Sequence, residues 1–253
     1  MVPFFSIILP TYNSELSLKT TLDSLLNQTY SNFEILLMDG GSKDATIAIA
    51  ESYNDCRIKI HSEPDRGVYD AMNKGMGLAI GDWLYFIGSD DYLHTSDVLQ
   101  NISSKIKIIK NHVFYGNVII NGDAGWAKDG QIYNGKYTLQ RLLRGNICHQ
   151  SIFYRRSFLI ENNLIYNLSY PIVADWDFNI QCRLKTSFTY LDTIVAVFNA
   201  GGISTGRTNS DPFLKEIQLK YGYLYRTSNY PQFMQPFKRL YKLIMNIVNK
   251  LLG

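Results

Sequence analysis

The sequence predicts an α/β fold in which a mostly parallel sheet is flanked by helices on both faces. Short apolar runs alternate with segments of helical spacing along about the first hundred residues, and this rhythm is typical of parallel sheets. With 253 residues, 46% of them hydrophobic and 19% charged, the chain can bury a large core. No linker-like stretch divides it, which favours one domain over two.

The first strand and the first helix are predicted from FFSIILP and the leucines that follow it. The apolar run ends at Pro10, where we expect the strand to end. Ser14 is the expected N-cap of the helix. The apolar face of that helix would consist of Leu16, Leu18, Leu22, Leu25 and Leu26.

Three more strands and two more helices follow at the same rhythm. FEILLMD, RIKIH and residues 83–87 predict strands, and helices are expected over 45–53 and 68–79. Ligands of parallel sheets bind at the carboxyl ends of the strands. A polar cluster follows each of the four strands, namely TYN, DGGSKD, SEPDRG and GSDD. The sequence therefore predicts a binding site at this edge of the sheet.

The second half of the chain is less regular. VFYGNVIING, SIFYRR, FTYL and IVAVFN each predict a strand, and YTLQRLLRG predicts a short helix ended by Gly145. DWDFNIQCRL predicts a helix with Asp175 and Asp177 in its first turn, where the helix dipole favours negative charge. GGISTGRTNSD has the composition of a loop.

Residues 237–253 have the pattern of an amphipathic helix. Their polar side chains fall within one sector of roughly 120°, and they are Lys238, Arg239, Lys242, Asn246, Asn249 and Lys250. A wide apolar face beside a basic face suits a helix that lies in a membrane interface. A helix docked on the domain, or on a second copy of the chain, is the alternative.

Composition excludes several classes of protein. A net charge of +3 without a basic stripe does not favour nucleic acid as a partner. Cys56, Cys148 and Cys182 are widely spaced, so reduced thiols in the cytoplasm are expected. No apolar run approaches the roughly 20 residues that cross a bilayer, and no basic leader precedes the first strand. We expect a soluble or surface-bound protein.

Asp90 and Asp91 stand side by side at the end of an apolar run, in YFIGSDDYL. Adjacent carboxylates repel each other and lose hydration against a core, and a bound cation relieves that repulsion. Their hard oxygen atoms suit Mn²⁺ or Mg²⁺, with substrate phosphates as further ligands. The alternative is an ordinary turn, with Ser96 or Asp97 capping the next helix.

Taken together, the motifs resemble the family 2 glycosyltransferases, which have the nucleotide-sugar-binding, Rossmann-like GT-A fold. The matching motifs are SIILPTYN, FEILLMDGGSKD, EPDRGVYDAMNKG and FIGSDD. GVYDAMNKG is especially similar to members that assemble bacterial O-antigens, capsules and exopolysaccharides. CHQSIFYRR, ADWDF and GGIST match more loosely. The resemblance implies a GT-A domain over 1–236, with a nucleotide-binding half, 1–100, and an acceptor-binding half, 101–236.

The resemblance implies that the polar strand ends bind a nucleoside diphosphate sugar. Tyr12 would lie against the nucleobase, and Asp39 would accept hydrogen bonds from it; a strand-end aromatic and a helix cap are the alternatives. Arg66 and Lys74 would offset diphosphate charge, although an ion pair between Asp70 and Lys74 is the structural alternative. The implied donor-binding residues are Pro10, Thr11, Tyr12, Asp39, Asp65, Arg66, Asp70, Lys74, Ser89 and Asp90.

The resemblance also implies a metal ligand. Asp91 would ligate Mn²⁺ or Mg²⁺, with Asp90 nearer the ribose or as a second ligand. The family often has a carboxylate where this chain has Ser89, so the division of roles between the two aspartates stays open.

Inverting transfer needs a carboxylate that takes a proton from the acceptor hydroxyl. In the family this residue begins a helix in the second half, often in a Glu-Asp pair. VADWDF fits with Asp175 as the base, although Ala174 replaces the acidic neighbour. Asp177 is the competitor, and helix N-terminal charge is the structural alternative for both.

Three further residues are candidate contacts of the acceptor or the diphosphate. His149 would touch either group, Trp176 would form a platform for a sugar ring, and Ser204 would contact the diphosphate from a closing loop. A structural histidine and a core tryptophan are the alternatives.

The implied activity is metal-dependent, inverting transfer of one sugar from a UDP-linked donor to a lipid-carried or growing glycan. A polyprenyl-linked acceptor at the cytoplasmic membrane face follows if 237–253 lies on a membrane. A processive synthase is disfavoured because QRLLRG lacks the Trp of Gln-x-x-Arg-Trp. A nucleotidyltransferase would carry a glycine-rich basic loop where this chain has PTYN. A catalytically inactive nucleotide-binding protein is the remaining alternative.

Overall fold

The computed structural model describes residues 2–133, 135–202 and 211–228. Ser204 and the tail helix expected over 237–253 lie outside these ranges. The strands are β1 (Phe5–Thr11), β2 (Phe33–Asp39), β3 (Ile58–Ser62), β4 (Trp83–Phe86), β5 (Tyr92–Leu93), β6 (Val113–Asn121), β7 (Ile132–Tyr133), β8 (Ile152–Arg155) and β9 (Phe188–Asn199). The helices are α1 (Leu18–Leu26), α2 (Thr46–Ser52), α3 (Val68–Leu78), α4 (Val98–Ile108), α5 (Leu139–Arg144), α6 (Arg156–Glu161), α7 (Ala174–Lys185) and α8 (Pro212–Ser228).

The strands form one sheet in the order β3-β2-β1-β4-β8-β6-β9-β5, and β7 pairs with β6. The strands β3, β2, β1 and β4 are mutually parallel. Since β8 is antiparallel to both β4 and β6, and β9 is parallel to β6, the strands β6 and β9 run in the same direction as the first four. In the described ranges, four and two strands thus make six of nine in one direction, which confirms the predicted mostly parallel sheet.

Helices cover both faces of this sheet because its central strands are apolar on both sides. Along β1, Phe5, Ile7 and Leu9 pack with α1 and α4, whereas Ile8 packs with α3 on the other face. This alternation is the period of two expected for a strand. The carboxyl ends of the six co-directional strands meet at one edge, which is where the candidate site lies.

The expectation that Pro10 ends the first strand is wrong. β1 continues through Pro10 to Thr11 and stays in register with β2. Pairing with β4 stops at Ile8. Ile8 and Pro10 face the β4 side by alternation, so the missing N–H of Pro10 falls where no ladder bond is needed.

The expected cap of α1 is also wrong. The helix begins at Leu18, with Ser17 in the cap position, and Leu16 is 95% exposed rather than part of the apolar face. The Ser14 hydroxyl instead lies 2.7 Å from the hydroxyl of Ser89. It therefore joins the loop after β1 to the loop after β4.

FTYL and IVAVFN, predicted as two strands, form the single strand β9. Its pairing with β6 shifts register on either side of Asn117, and these shifts let one long strand follow the curvature of the sheet.

Cys56, Cys148 and Cys182 are free thiols. In the described ranges, no helix is both long and apolar enough to cross a membrane.

A buried carboxylate fastens α7 to α8. Asp177 is fully buried, and its Oδ1 accepts hydrogen bonds from Lys220 Nζ at 2.8 Å and the Tyr221 hydroxyl at 2.6 Å. Its Oδ2 accepts one from Gln181 Nε2 at 2.6 Å. Asp177 therefore stabilises the helix that carries Asp175.

We expect Lys220→Met to lower the free energy of unfolding by about 2 kcal/mol, because a buried carboxylate loses a charged donor. Urea denaturation followed by circular dichroism measures this change. Lys215→Met is the matched control, since Lys215 is an exposed lysine of the same helix. Equal effects of the two substitutions would contradict the role of Lys220.

Candidate active site

Asp39, the last residue of β2, organises the loop that follows it. Its Oδ2 accepts hydrogen bonds from the backbone N–H groups of Gly41 and Ser42, both at 3.0 Å, and from the Ser62 hydroxyl at 2.6 Å. Burial alone would raise the pKa of Asp39, but the hydrogen bonds from Ser42 and Ser62 lower it below its ordinary value. The carboxylate is thus held charged and fixed; its contact with a nucleobase stays a prediction.

The end of β1 presents an aromatic ring to solvent. Tyr12 is 63% exposed, whereas Thr11, opposite Asp39 in the β1–β2 pairing, is buried. The Thr11 hydroxyl has no hydrogen-bond partner within the described part of the chain. Pro10 lies buried in the strand before it. An exposed ring that follows the strand residue opposite the fixed carboxylate is a suitable surface for a flat base.

The predicted cationic residues lie in the loop after β3, which holds Arg66, and in the helix α3 that follows it, which holds Lys74. The Asp70 carboxylate accepts hydrogen bonds from the backbone N–H of Arg66 at 3.1 Å and from its guanidinium at 3.2 Å. Lys74 Nζ lies 2.8 Å from Glu63 Oε1, and its distance from Asp70 Oδ2 is longer, at 3.8 Å. The Asp65 carboxylate accepts a hydrogen bond from the backbone of the same loop. Asp70 therefore orients Arg66 more closely than it orients Lys74.

The two adjacent aspartates differ in burial. Asp91 is 2% exposed, and its Oδ2 accepts a hydrogen bond from Gln150 Nε2 at 2.6 Å while its Oδ1 accepts one from the backbone N–H of Asn199 at 2.9 Å. Asp90 is only half-buried. Its carboxylate receives no hydrogen bond from any other residue that the structure describes. Asp90 is thus the more accessible group and Asp91 the deeper one.

Gly88 allows both carboxylates to lie close together. A Cβ atom at this position would lie 2.7 Å from Asp90 Oδ1 and 2.9 Å from Asp91 Oδ2. A side chain at this position would therefore displace one or both carboxylate groups. Glycine at the first position of GSDD thus favours the close approach of the pair.

The electrostatics of the pair fit a divalent cation. Burial, and secondly the charge of Asp90, raise the pKa of Asp91 to about 7, and burial also raises the pKa of Asp90. His149 acts in the opposite direction on both groups without cancelling the rise. Two crowded carboxylates of this kind are hard oxygen ligands that a cation would stabilise. Within the described ranges, no cluster of three or more acidic, His or Cys side chains could hold a metal ion.

Asp175 lies in the first turn of α7, as predicted, and is accessible where Asp177 is not. Its side chain is 13% exposed. Its Oδ2 accepts a hydrogen bond from Asn146 Nδ2 at 2.6 Å, and its Oδ1 lies 3.0 Å from the Tyr69 hydroxyl. Because Asp177 is fully buried and saturated by protein donors, Asp175 is the carboxylate of the two that a substrate can reach.

His149 lies between the two groups of carboxylates. Its Nδ1 is 3.7 Å from Asp175 Oδ2, and its buried Nε2 has no hydrogen-bond partner among the described residues.

Trp176 takes part in core packing. Its indole N–H donates to the Leu142 carbonyl at 2.6 Å, and its ring meets Phe213 edge-on, with 5.6 Å between the ring centroids. These contacts agree with the packing alternative, and a role for Trp176 as a sugar platform stays a prediction.

Residues 6–162 match the family model described as glycosyl transferase family 2. The chain belongs to glycosyl transferase family 2. It is therefore a glycosyltransferase, as the ordered motifs of its first half predict.

Relatives that are named as glycosyltransferases match most of the chain. A PGL/p-HBAD biosynthesis glycosyltransferase from Mycobacterium bovis (strain BCG / Pasteur 1173P2) is 41% identical over 226 residues, which is 86% of this chain and 85% of the relative. An uncharacterized glycosyltransferase from Haemophilus influenzae is 29% identical over 212 residues, or 80% of this chain and 82% of the relative.

Solved structures confirm the predicted GT-A fold. S. aureus TarS 1–349 in complex with UDP-GlcNAc superposes with a TM-score of 0.68 at 23% identity, over 81% of this chain and 60% of that fragment. The chain spans 36% of a longer TarS structure. The mannosyltransferase PcManGT from Pyrobaculum calidifontis, in complex with GDP-Man and Mn²⁺, gives a TM-score of 0.56 at 15% identity, over 98% of this chain and 71% of that one.

The sequence did not predict the residues that hold the carboxylates of Asp91 and Asp175 in place. They are Tyr69, Asn146, Gln150 and Asn199. Asn146 and Gln150 flank His149 in NICHQ, so the polar content of that motif was the available signal.

Proposed function

We propose that this glycosyltransferase is inverting and metal-dependent, and that it moves one sugar from a UDP-linked donor to a lipid-carried or growing cell-surface glycan. The main support is that one short segment, 146–150, contacts both groups of carboxylates. Asn146, its first residue, donates a hydrogen bond to Asp175, and Gln150, its last residue, donates one to Asp91. The same five residues therefore contact both the proposed base and one of the two proposed metal ligands.

Asp175 is the proposed general base. The acceptor hydroxyl oxygen attacks the anomeric carbon of the donor, and Asp175 takes the hydroxyl proton. The bond from that carbon to the diphosphate oxygen breaks, and the diphosphate leaves with its electron pair. Attack from the face opposite the leaving group inverts the configuration at the carbon.

Asp90 and Asp91 are the proposed holders of Mn²⁺ or Mg²⁺. A divalent cation bound there supplies Lewis-acid stabilisation of the charge on the leaving diphosphate. Asp90 would make the accessible contact and Asp91 the deeper one. The Mn²⁺ in the complex of PcManGT with GDP-Man supports metal use on this fold.

The donor is proposed to lie along the strand ends. Tyr12 would stack on the base, Asp39 would accept its N–H, and Arg66 with Lys74 would place positive charge near the diphosphate. The complexes of TarS with UDP-GlcNAc and with UDP support a UDP-linked donor.

A panel of UDP- and GDP-sugars, assayed for Mn²⁺-stimulated donor hydrolysis, tests the proposal. We expect hydrolysis of at least one UDP-sugar to UDP and free sugar, since water replaces the acceptor. Release of pyrophosphate from a nucleoside triphosphate and a sugar phosphate would indicate a nucleotidyltransferase. Nucleotide binding without any turnover would indicate an inactive binding protein.

The acceptor is proposed to be a polyprenyl-linked glycan at the cytoplasmic face of the membrane. The support is the amphipathic pattern of residues 237–253. The mycobacterial relative is named as a PGL/p-HBAD biosynthesis glycosyltransferase, which supports a biosynthetic role for this chain as well.

We expect the full chain to co-sediment with anionic liposomes and a chain ending at residue 236 to stay in the supernatant. The reason is that the basic face binds anionic lipid while the apolar face inserts. Zwitterionic liposomes are the control and should retain less of the full chain. Equal sedimentation of both chains would remove the membrane contact but leave the enzyme assignment intact.

A further inference from the structure

We propose that Asn146 and Gln150 are positioning residues with separate tasks: Asn146 orients the base Asp175, and Gln150 orients the carboxylate of Asp91. This inference rests on the proposed function. Both residues belong to the 146–150 segment, which runs from the end of α5 into the single helical turn His149–Ser151.

The amide of Asn146 has only one orientation that satisfies its neighbours. Its Oδ1 accepts hydrogen bonds from Asn179 Nδ2 and from the backbone N–H of Ile147, both at 2.9 Å. Asn179 is itself fixed, because its Oδ1 accepts a hydrogen bond from the buried Tyr154 hydroxyl at 2.5 Å. The Nδ2 of Asn146 is therefore directed at Asp175.

This arrangement distinguishes the two oxygens of Asp175. Asn146 holds Oδ2 at 2.6 Å. The Tyr69 hydroxyl has a single proton, and the Ile172 carbonyl at 2.7 Å is nearer to it than Oδ1 at 3.0 Å. Oδ1 is therefore the less firmly held of the two oxygens and the one that would take the acceptor proton, and the Asn146 contact on Oδ2 sets the orientation of the carboxylate.

Gln150 orients the carboxylate of Asp91 in the same way. The Gln150 side chain is buried, and its Nε2 donates to Asp91 Oδ2 at 2.6 Å. Its backbone carbonyl accepts a hydrogen bond from the Tyr85 hydroxyl at 2.8 Å, which fixes the turn against β4. Without Gln150 a buried carboxylate oxygen loses its side-chain donor and the carboxylate can rotate about its bond to Cβ.

The two contacts face different elements. Asn146 meets Asp175 and Asn179 on α7, whereas Gln150 meets Asp91 in the turn after β4. Loss of one contact should therefore leave the other in place, so the effects on base catalysis and on metal–nucleotide binding should separate.

Asn146→Leu and Gln150→Leu test this separation in the full chain. Mn²⁺-dependent UDP binding is measured by calorimetry, and kcat and KM are measured for hydrolysis of the UDP-sugar found in the donor panel. We expect Asn146→Leu to lower kcat by about tenfold or more while the UDP affinity stays within about twofold. Gln150→Leu should weaken Mn²⁺-dependent UDP binding by about tenfold.

Gln28→Leu is the matched control. Gln28 is a buried glutamine whose amide bonds to Ser24, Thr95 and Leu99, so its loss lowers stability without touching the site. It should change neither readout. Asn146→Ser and Gln150→Asn, which shorten the side chains, replace any leucine variant that does not fold.

The inference is overturned if both variants lose both readouts in parallel, as a merely structural role would give, or if neither variant differs from Gln28→Leu. A wild-type protein that binds no Mn²⁺–UDP and turns over no donor would overturn the proposed function itself, and the inference with it.

Discussion

The Asp175→Asn variant is expected to transfer sugar about 10²–10⁴ times more slowly than the wild type, because an amide cannot take the acceptor proton. Its Mn²⁺-dependent UDP affinity should stay unchanged, since the proposed role of Asp175 is toward the acceptor rather than the diphosphate. Initial rates with the UDP-sugar of the donor panel, together with calorimetry, measure both quantities.

Asp177→Asn is the control for this prediction. Asp177 lies two residues further along α7 but is fully buried against Lys220 and Tyr221. Its loss should lower the melting temperature and leave the rate near that of the wild type at temperatures where the protein is folded. A fully active Asp175→Asn enzyme beside an inactive but folded Asp177→Asn enzyme would refute Asp175 as the base.

Asp90→Asn and Asp91→Asn are each expected to abolish transfer and to weaken Mn²⁺-dependent UDP binding by more than about tenfold. The reason is that each substitution removes one negative charge from the proposed metal ligands, and even residues behind metal ligands alter metal affinity by about 10–100-fold. Calorimetric titration of UDP with and without Mn²⁺ measures the effect.

Asp82→Asn is the matched control for the carboxylate pair. Asp82 is an exposed aspartate that immediately precedes β4, at the opposite end of the strand from Asp90 and Asp91. It should bind Mn²⁺–UDP like the wild type. If Asp90→Asn and Asp91→Asn also bound like the wild type, the metal would have to lie elsewhere.

The parallel half of the fold was predictable because its strands are buried on both faces. FEILLMD is apolar at five of its seven positions for this reason, and β2 spans the predicted residues. Tertiary context changed the ends of elements instead. Pro10 stays in β1 because pairing on the β4 side has already stopped at Ile8, and no local sequence rule contains that information.

The short strands were not predictable. β5 and β7 have two residues each, too few to show a period of two. Their pairing with β9 and β6 depends on residues far away in the chain. The β9 strand was divided in the prediction because Asp192 and Thr193 interrupt its apolar pattern.

In the candidate site, too, some residues could be predicted from the sequence and others could not. Adjacent aspartates after an apolar run are visible in the sequence as a costly feature that needs a partner. The residues that hold them are not, because Gln150 is 59 positions from Asp91, Asn146 is 29 from Asp175 and Tyr69 is 106 from Asp175. Amide side chains gain their roles only from folded geometry.

Soaking crystals of the protein with Mn²⁺ and UDP tests the central claim most directly. We predict that Mn²⁺ binds between the Asp90/Asp91 pair and the diphosphate, with the uracil ring against Tyr12. Manganese and UDP bound away from both aspartates, or a UDP that binds equally well without any metal at this edge of the sheet, would contradict the account.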